Sequence, residues 1–184
     1  MMNSYLSNPL EFLITTLFSL YILAVMLRFL LGLVRADFYN PVSQFLVRVT
    51  NPLLVPMRKV IPTVGKFDTS AVVLMLVLQL LSVLIVVALR GVSVSFVAML
   101  AFTVGELIML LINVFLFAII VQVILSWVSP GTYNPVNSIL YSLTNPILQP
   151  FRRIIPPLSG IDLSPLFALI ALQVARMLIL PLLG

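Results

Sequence analysis

Cysteine and histidine are both absent from this chain of 184 residues. Without cysteine there is no disulfide, no thiolate nucleophile and no sulfur ligand for a metal. Without histidine the chain lacks the usual general base, the commonest metal ligand and the side chain that switches charge near neutral pH. Carboxylates are scarce too: Glu11, Asp37, Asp68, Glu106 and Asp162 are all there are. No phosphate-binding glycine loop, zinc-ligand spacing, nucleophile elbow or aspartate-rich lipid-transferase cluster occurs. These absences predict a protein that is not an enzyme and carries no cofactor or metal.

Charge as a whole is sparse, at 8% of residues, whereas 62% are hydrophobic. A soluble domain of this size has too much surface to hide that much apolar material, so lipid must be the solvent for much of it. The net charge of +5 is placed beside apolar runs and forms no stripe of the kind that tracks a nucleic acid. The expected electrostatic partner is therefore a membrane surface with acidic headgroups, and no nucleic acid. The opening "MMNSYLSNPLEFL" has no Lys or Arg ahead of its apolar run, unlike a cleaved signal peptide, so the chain is expected to keep its N-terminus.

What is present is a set of long apolar segments. Crossing a bilayer takes about 20 mostly apolar residues. Four segments meet that requirement, near Pro9–Val34, Thr69–Leu89, Val104–Val128 and Ser164–Leu183. Ser164-Pro165 reads as an N-cap followed by proline in the first turn, with Ser70 the matching cap earlier in the chain. A further stretch, Gly91–Phe102, is too short to cross and reads as an interfacial or re-entrant connector; a fifth span is the alternative. The loop after the first span holds Arg35, Arg48, Arg58, Lys59 and Lys66, and that after the third holds Arg152 and Arg153. Arg90 lies on the other side. The basic loops predict a cytoplasmic location for both, with both termini periplasmic.

Those two loops are copies. At an offset of 94 residues, Tyr39-Asn40-Pro41-Val42 falls on Tyr133-Asn134-Pro135-Val136, and Thr50-Asn51-Pro52 on Thr144-Asn145-Pro146. Pro56, Arg58, Pro62, Asp68, Ser70 and Gln79 likewise fall on Pro150, Arg152, Pro156, Asp162, Ser164 and Gln173, and Lys59 on Arg153. An ungapped match that includes turn residues is the signature of duplication. Each unit reads as span, cassette, span, and an even number of crossings makes the units parallel repeats about an axis along the membrane normal. The expected fold is an all-α membrane protein of four transmembrane helices with cytoplasmic interfacial helices. Residues 1–90 form the first repeat, 91–103 the connector and 104–184 the second repeat.

Within each cassette, Asn40-Pro41 and Asn51-Pro52 (Asn134-Pro135 and Asn145-Pro146 in the second copy) each predict a fresh helix start. Val42, Phe45, Leu46 and Val49 recur at helical spacing opposite Gln44 and Arg48, as do Val136, Ile139, Leu140 and Leu143. This predicts an amphipathic helix of roughly three turns lying in the headgroup layer. Pro52, Pro56 and Pro62 then predict only short helical turns. The basic pairs Arg58-Lys59 and Arg152-Arg153 are placed to meet acidic lipid headgroups or a partner.

Polar groups inside spans are the remaining candidates. Glu11 and Glu106, near the outer ends of equivalent spans, read first as interfacial acids; if any charge faces the bundle interior it is Arg176, which matches Ser82 in the first copy, with Glu106 as its candidate partner. Gln79, Gln122 and Gln173 are candidates for hydrogen bonds between helices. Arg28 can snorkel from the end of the first span. Asp68 and Asp162 read as helix N-terminal charges or as partners for Arg58 and Arg152.

The duplicated pattern of "NP", "P", "R", "P" and a final Asp-x-Ser ahead of a span resembles the YggT (YlmG-like) family of integral membrane proteins, in its two-copy bacterial form. The resemblance covers essentially the whole chain. It implies a multi-pass protein of the bacterial inner membrane, related to proteins linked to osmotic or envelope stress tolerance and to cell division. It carries over no catalytic residue. The expected function is a non-enzymatic scaffold or tolerance factor whose cassettes touch lipid headgroups and a division or envelope partner, with a homo-oligomer as a further expected assembly. The alternative is a small channel or transporter with a path between the repeats.

Overall fold

The structure, a computed structural model, describes residues 4–128, 134–156 and 162–182. Tyr133, which opens the second cassette motif, and Leu183, the expected end of the fourth span, lie outside the described residues. Six α-helices follow one another: α1 (Ser4–Leu33), α2 (Pro41–Val60), α3 (Thr69–Arg90), α4 (Phe96–Val128), α5 (Pro135–Ile154) and α6 (Ser164–Ile179). A 3₁₀ turn, Leu180–Leu182, extends α6. The described residues contain no strand, only an isolated bridge between Val64 and Phe67.

Three helices are long and apolar enough to cross a membrane: Asn8–Leu33 of α1, α3 and α4. α6 is apolar but has only 16 residues. α4 has 33 residues, about 50 Å at 1.5 Å per residue. It begins at Phe96, so most of the 91–103 connector is helical and continuous with the third span. No Gly-Pro breaker or cap separates Phe102 from Val104, and an apolar helix without a stop signal runs on. The turn ahead of it is made by Gly91, which has φ 65° and donates its N–H to Ala88 O at 3.3 Å. This left-handed ending favours glycine because a side chain there meets the carbonyl that follows.

The helices pack as two similar units. α1 packs on α3 with α2 across both, and α4 packs on α6 with α5 across both. The central core takes Ile22, Val25, Met26 and Leu30 from α1, a spacing of three and four that puts them on one face. Leu54 of α2, Ala71, Leu74 and Met75 of α3, Val114 and Ala118 of α4, and Leu143 of α5 complete it. On its other face α1 exposes Phe12, Leu13, Leu17 and Leu20, each more than half accessible, which suits contact with acyl chains. The contacts between units do not obey a two-fold axis: α3 packs against α4, but α6 makes no comparable packing with α1.

Candidate functional site

The two cassettes are the polar part of the molecule, and each is a single 20-residue helix. Asn40 caps α2 by accepting from Val42 N at 2.9 Å, and Asn134 caps α5 by accepting from Val136 N at 2.9 Å. The second Asn-Pro of each cassette behaves differently from the expectation. Pro52 and Pro56 lie inside α2, as Pro146 and Pro150 lie inside α5, so neither Asn51-Pro52 nor Asn145-Pro146 starts a new helix. An interior proline forfeits one backbone hydrogen bond and crowds the preceding turn. Here Pro52 and Pro56, four residues apart, share the exposed face, away from the packed side of α2.

The inward face of α2 is held by a side chain from another helix. Arg28 of α1 donates through Nη1 to Thr50 Oγ1 at 2.6 Å and Asn51 Oδ1 at 2.9 Å, with a longer contact to Val47 O at 3.4 Å. Thr50 is fully buried and also donates to Leu46 O at 2.6 Å. Arg28 therefore fastens the Thr-Asn-Pro segment of the cassette to the span before it. The repeat offset carries Arg28 onto Gln122, whose Oε1 accepts from Thr144 Oγ1, the counterpart of Thr50. Arg28 and Gln122 thus fill one structural role with different chemistry.

A second fastening lies at the far end of each cassette. Arg58 pairs with Asp68, and Arg152 pairs with Asp162, Nε to Oδ2, at 2.9 Å. Arg152 Nη1 also reaches Asn145 Oδ1 at 3.2 Å. Both aspartates sit at helix starts: Asp68 caps α3 by accepting from Ala71 N at 3.2 Å, and Asp162 accepts from Ser164 N at 2.9 Å. Asp68, two residues before the expected Ser70, is the cap of α3; Ser70 instead donates to Ile61 O at 2.7 Å. Ser164 is the first residue of α6, whose N-cap is Leu163 with no side-chain bond. Burial opposes ionisation of Asp162, but the hydrogen bond from Ser164 N and the paired charge of Arg152 outweigh it and hold the carboxyl below its ordinary range.

The face of α2 that packs inward is Ser43, Leu46, Thr50 and Leu54. Of the apolar face expected from the sequence, Leu46 is buried, whereas Phe45 is 63% exposed and Val49 is 36% exposed. The α5 face is rotated relative to it, burying Ile139, Leu143, Thr144 and Leu148. The cassettes also meet each other: Asn40 Nδ2 donates to Pro135 O at 2.8 Å. Lys59 and Arg153 of the basic pairs point outward and are exposed.

The expected intramembrane polar groups do not come together. Glu106 and Gln173 are exposed, Arg176 and Gln79 are half-buried, and among the described residues no ion pair or hydrogen bond joins any of them. The charge pair across the spans is a different one, Glu11 of α1 with Arg90 of α3. Between the units, bounded by α1, α2, α4 and α5, lies a cavity of about 490 Å³. Its walls are aliphatic apart from Phe117 and Asn113, the latter its one polar side chain.

Three apolar helices long enough to cross a bilayer and a duplicated, polar-clasped cassette give the chain the build of a membrane protein of repeat construction. The chain belongs to the CCB3/YggT family, which matches it twice, over residues 7–89 and 101–183. It is 46% identical to an uncharacterized protein of Pseudomonas aeruginosa over 95% of this chain and 90% of that one. It is 44% identical to an uncharacterized protein of Vibrio alginolyticus, covering 96% of both. It is 35% identical to the uncharacterized protein YggT of Escherichia coli K12, over 92% of this chain and 88% of that one. No solved structure matches.

Proposed function

We propose that this protein is a non-enzymatic scaffold of the bacterial cytoplasmic membrane that crosses four times, with both cassettes on the cytoplasmic face and both termini periplasmic. The carrying observation is that each cassette helix is tied to its spans at two points, by Arg28 or Gln122 and by an Arg-Asp pair, and ends in a basic pair. A rigid shelf of this kind presents Lys59 and Arg153 to acidic headgroups and to a protein of the envelope or division machinery. Its role is to support tolerance of osmotic or envelope stress. The fourth crossing is α6 with its 3₁₀ turn: 16 residues contribute about 24 Å and the turn about 6 Å, close to the hydrocarbon thickness of about 30 Å. The first turns of α4, ahead of Thr103, project into the outer interface.

The aliphatic lining of the cavity between the units favours this reading over a channel, because ion paths need a succession of polar or charged groups. Purified protein in liposomes is expected to pass no ions, whereas robust selective flux replaces the scaffold by a channel. A photo-crosslinker at Lys59 or Arg153 in living cells is expected to capture an envelope or division protein. Adducts with the protein itself alone remove the partner from the account.

A further inference from the structure

The inner end of α1, the middle of α2 and the 61–68 loop enclose a cavity of about 380 Å³ in the first repeat. Three cationic side chains line it, Arg28, Arg58 and Lys66, against one carboxylate, Asp68. That carboxylate is already committed on both oxygens: Oδ2 takes Arg58 and Oδ1 takes Ala71 N. Arg28 bonds only neutral acceptors, all through Nη1, so among the described residues its Nε and Nη2 donors have no protein partner. Lys66 is exposed and makes no ion pair among the described residues. The described lining of the cavity thus carries three positive charges against one carboxylate, an excess of two, one of them on a half-buried guanidinium. Placing such a group out of water is costly unless an anion accompanies it.

The second repeat supplies the comparison. Arg58 and Asp68 are kept there as Arg152 and Asp162, but Arg28 becomes Gln122 and Lys66 becomes Gly160. The pair that fastens the cassette survives duplication, and the two unbalanced cations occur in one copy only. Their retention is therefore unnecessary for the fold of a cassette, since Gln122 clasps Thr144 without a charge.

We propose that the first-repeat cavity binds a phosphate group, held by the free edge of the Arg28 guanidinium and by Lys66. Two sources present that chemistry, the headgroup of an anionic phospholipid and soluble phosphate. Phe29 and Leu46 in the cavity wall favour the lipid, whose glycerol and first methylenes they can cover. The lipid source rests on the interfacial placement of the cassettes; phosphate binding by the cavity does not.

The test uses the full chain purified from mixed bilayers of phosphatidylglycerol and phosphatidylcholine. Native mass spectrometry counts tightly held lipid, and lipid analysis measures phosphatidylglycerol enrichment in the surrounding shell. One phosphatidylglycerol per chain is expected. The Arg28→Gln/Lys66→Gly variant, which copies the second repeat, should weaken that complex about 30-fold, from roughly a factor of five per lost basic group. Lys59→Gln/Arg153→Gln, at the two outward-facing members of the basic pairs, should leave it intact while lowering shell enrichment. A complex with added inorganic phosphate, and none with the lipid, supports the cavity and assigns the soluble source. Absence of both complexes, or equal retention by the Arg28→Gln/Lys66→Gly variant, overturns the proposal. Uniform shell composition with a persistent one-to-one complex sinks the broader headgroup reading and leaves the cavity standing. Lys66→Gly alone, at an exposed loop position, checks that the loss does not come from misfolding.

Discussion

Replacing Arg28 by leucine removes the donor that holds Thr50 and Asn51 to α1, while keeping an apolar side chain in the span. Two good hydrogen bonds are lost, at 2.6 and 2.9 Å. Side-chain hydrogen bonds in membrane proteins contribute about 0.6 kcal/mol on average and up to about 1.7, so the pair is worth about 1–3 kcal/mol. The loss should fall on the opening of α2 and leave α1 and α3 packed, because their shared core of Ile22, Leu74 and Met75 is untouched. Local opening free energies of that size change amide exchange by about 5- to 150-fold. Hydrogen–deuterium exchange of the protein in nanodiscs should show this acceleration across residues 46–56 and little elsewhere. Arg28→Gln should restore most of the protection, because Gln122 performs the same clasp in the second repeat, and Gln122→Leu should loosen α5 in turn. Unchanged exchange in α2 of Arg28→Leu, or an equal rise in every helix, would refute the clasp.

Leu54 and Leu148 are buried to 0% and 1% exposure beneath their cassettes. Alanine at either should cost about 2–5 kcal/mol in chemical or thermal unfolding, whereas Val55→Ala, on the exposed side, should stay within about 0.5 kcal/mol. The depressed carboxyl of Asp162 stabilises the fold above the ordinary aspartate pKa of about 3.9, and that contribution is lost as pH falls through its lower folded value. Melting temperatures scanned downward from neutral pH should therefore fall more steeply below about pH 4 in the wild type than in Asp162→Asn. Reversing Glu11 or Arg90 alone should lower the melting temperature, and Glu11→Arg/Arg90→Glu should recover most of it; no recovery dissociates the pair from stability.

The duplication, two long spans and the start of each cassette were legible because they rest on local chemistry. Asn40-Pro41 caps a helix whatever surrounds it, and α1 and α3 are apolar for the length a bilayer needs. The interior prolines were not legible. Pro52 reads locally as a helix start, whereas α2 runs through it, and the side chain that ties this segment to α1, Arg28, lies more than 20 residues away in the sequence. Nor was the inward face of α2. Hydrophobic periodicity marks an apolar face but not the face that meets a neighbouring helix: Phe45 faces out while Ser43 and Thr50 pack inward. Glu106 and Arg176 were attractive as a pair because both are charges in spans, but their helix faces do not bring them together. The signal that could have found Arg28 was the repeat itself: at its offset lies Gln122, a polar residue in the same place of the equivalent span.

The central claim is that both cassettes form one shelf on the cytoplasmic side, and the chain's lack of cysteine makes it directly testable. Single cysteines are introduced by Thr63→Cys and Ile154→Cys at the cassette ends and by Ser95→Cys ahead of α4, and intact cells are treated with a membrane-impermeant maleimide. The account predicts labelling of Ser95→Cys in intact cells and of the two cassette positions only after the inner membrane is permeabilised. Labelling of either cassette position from outside contradicts it.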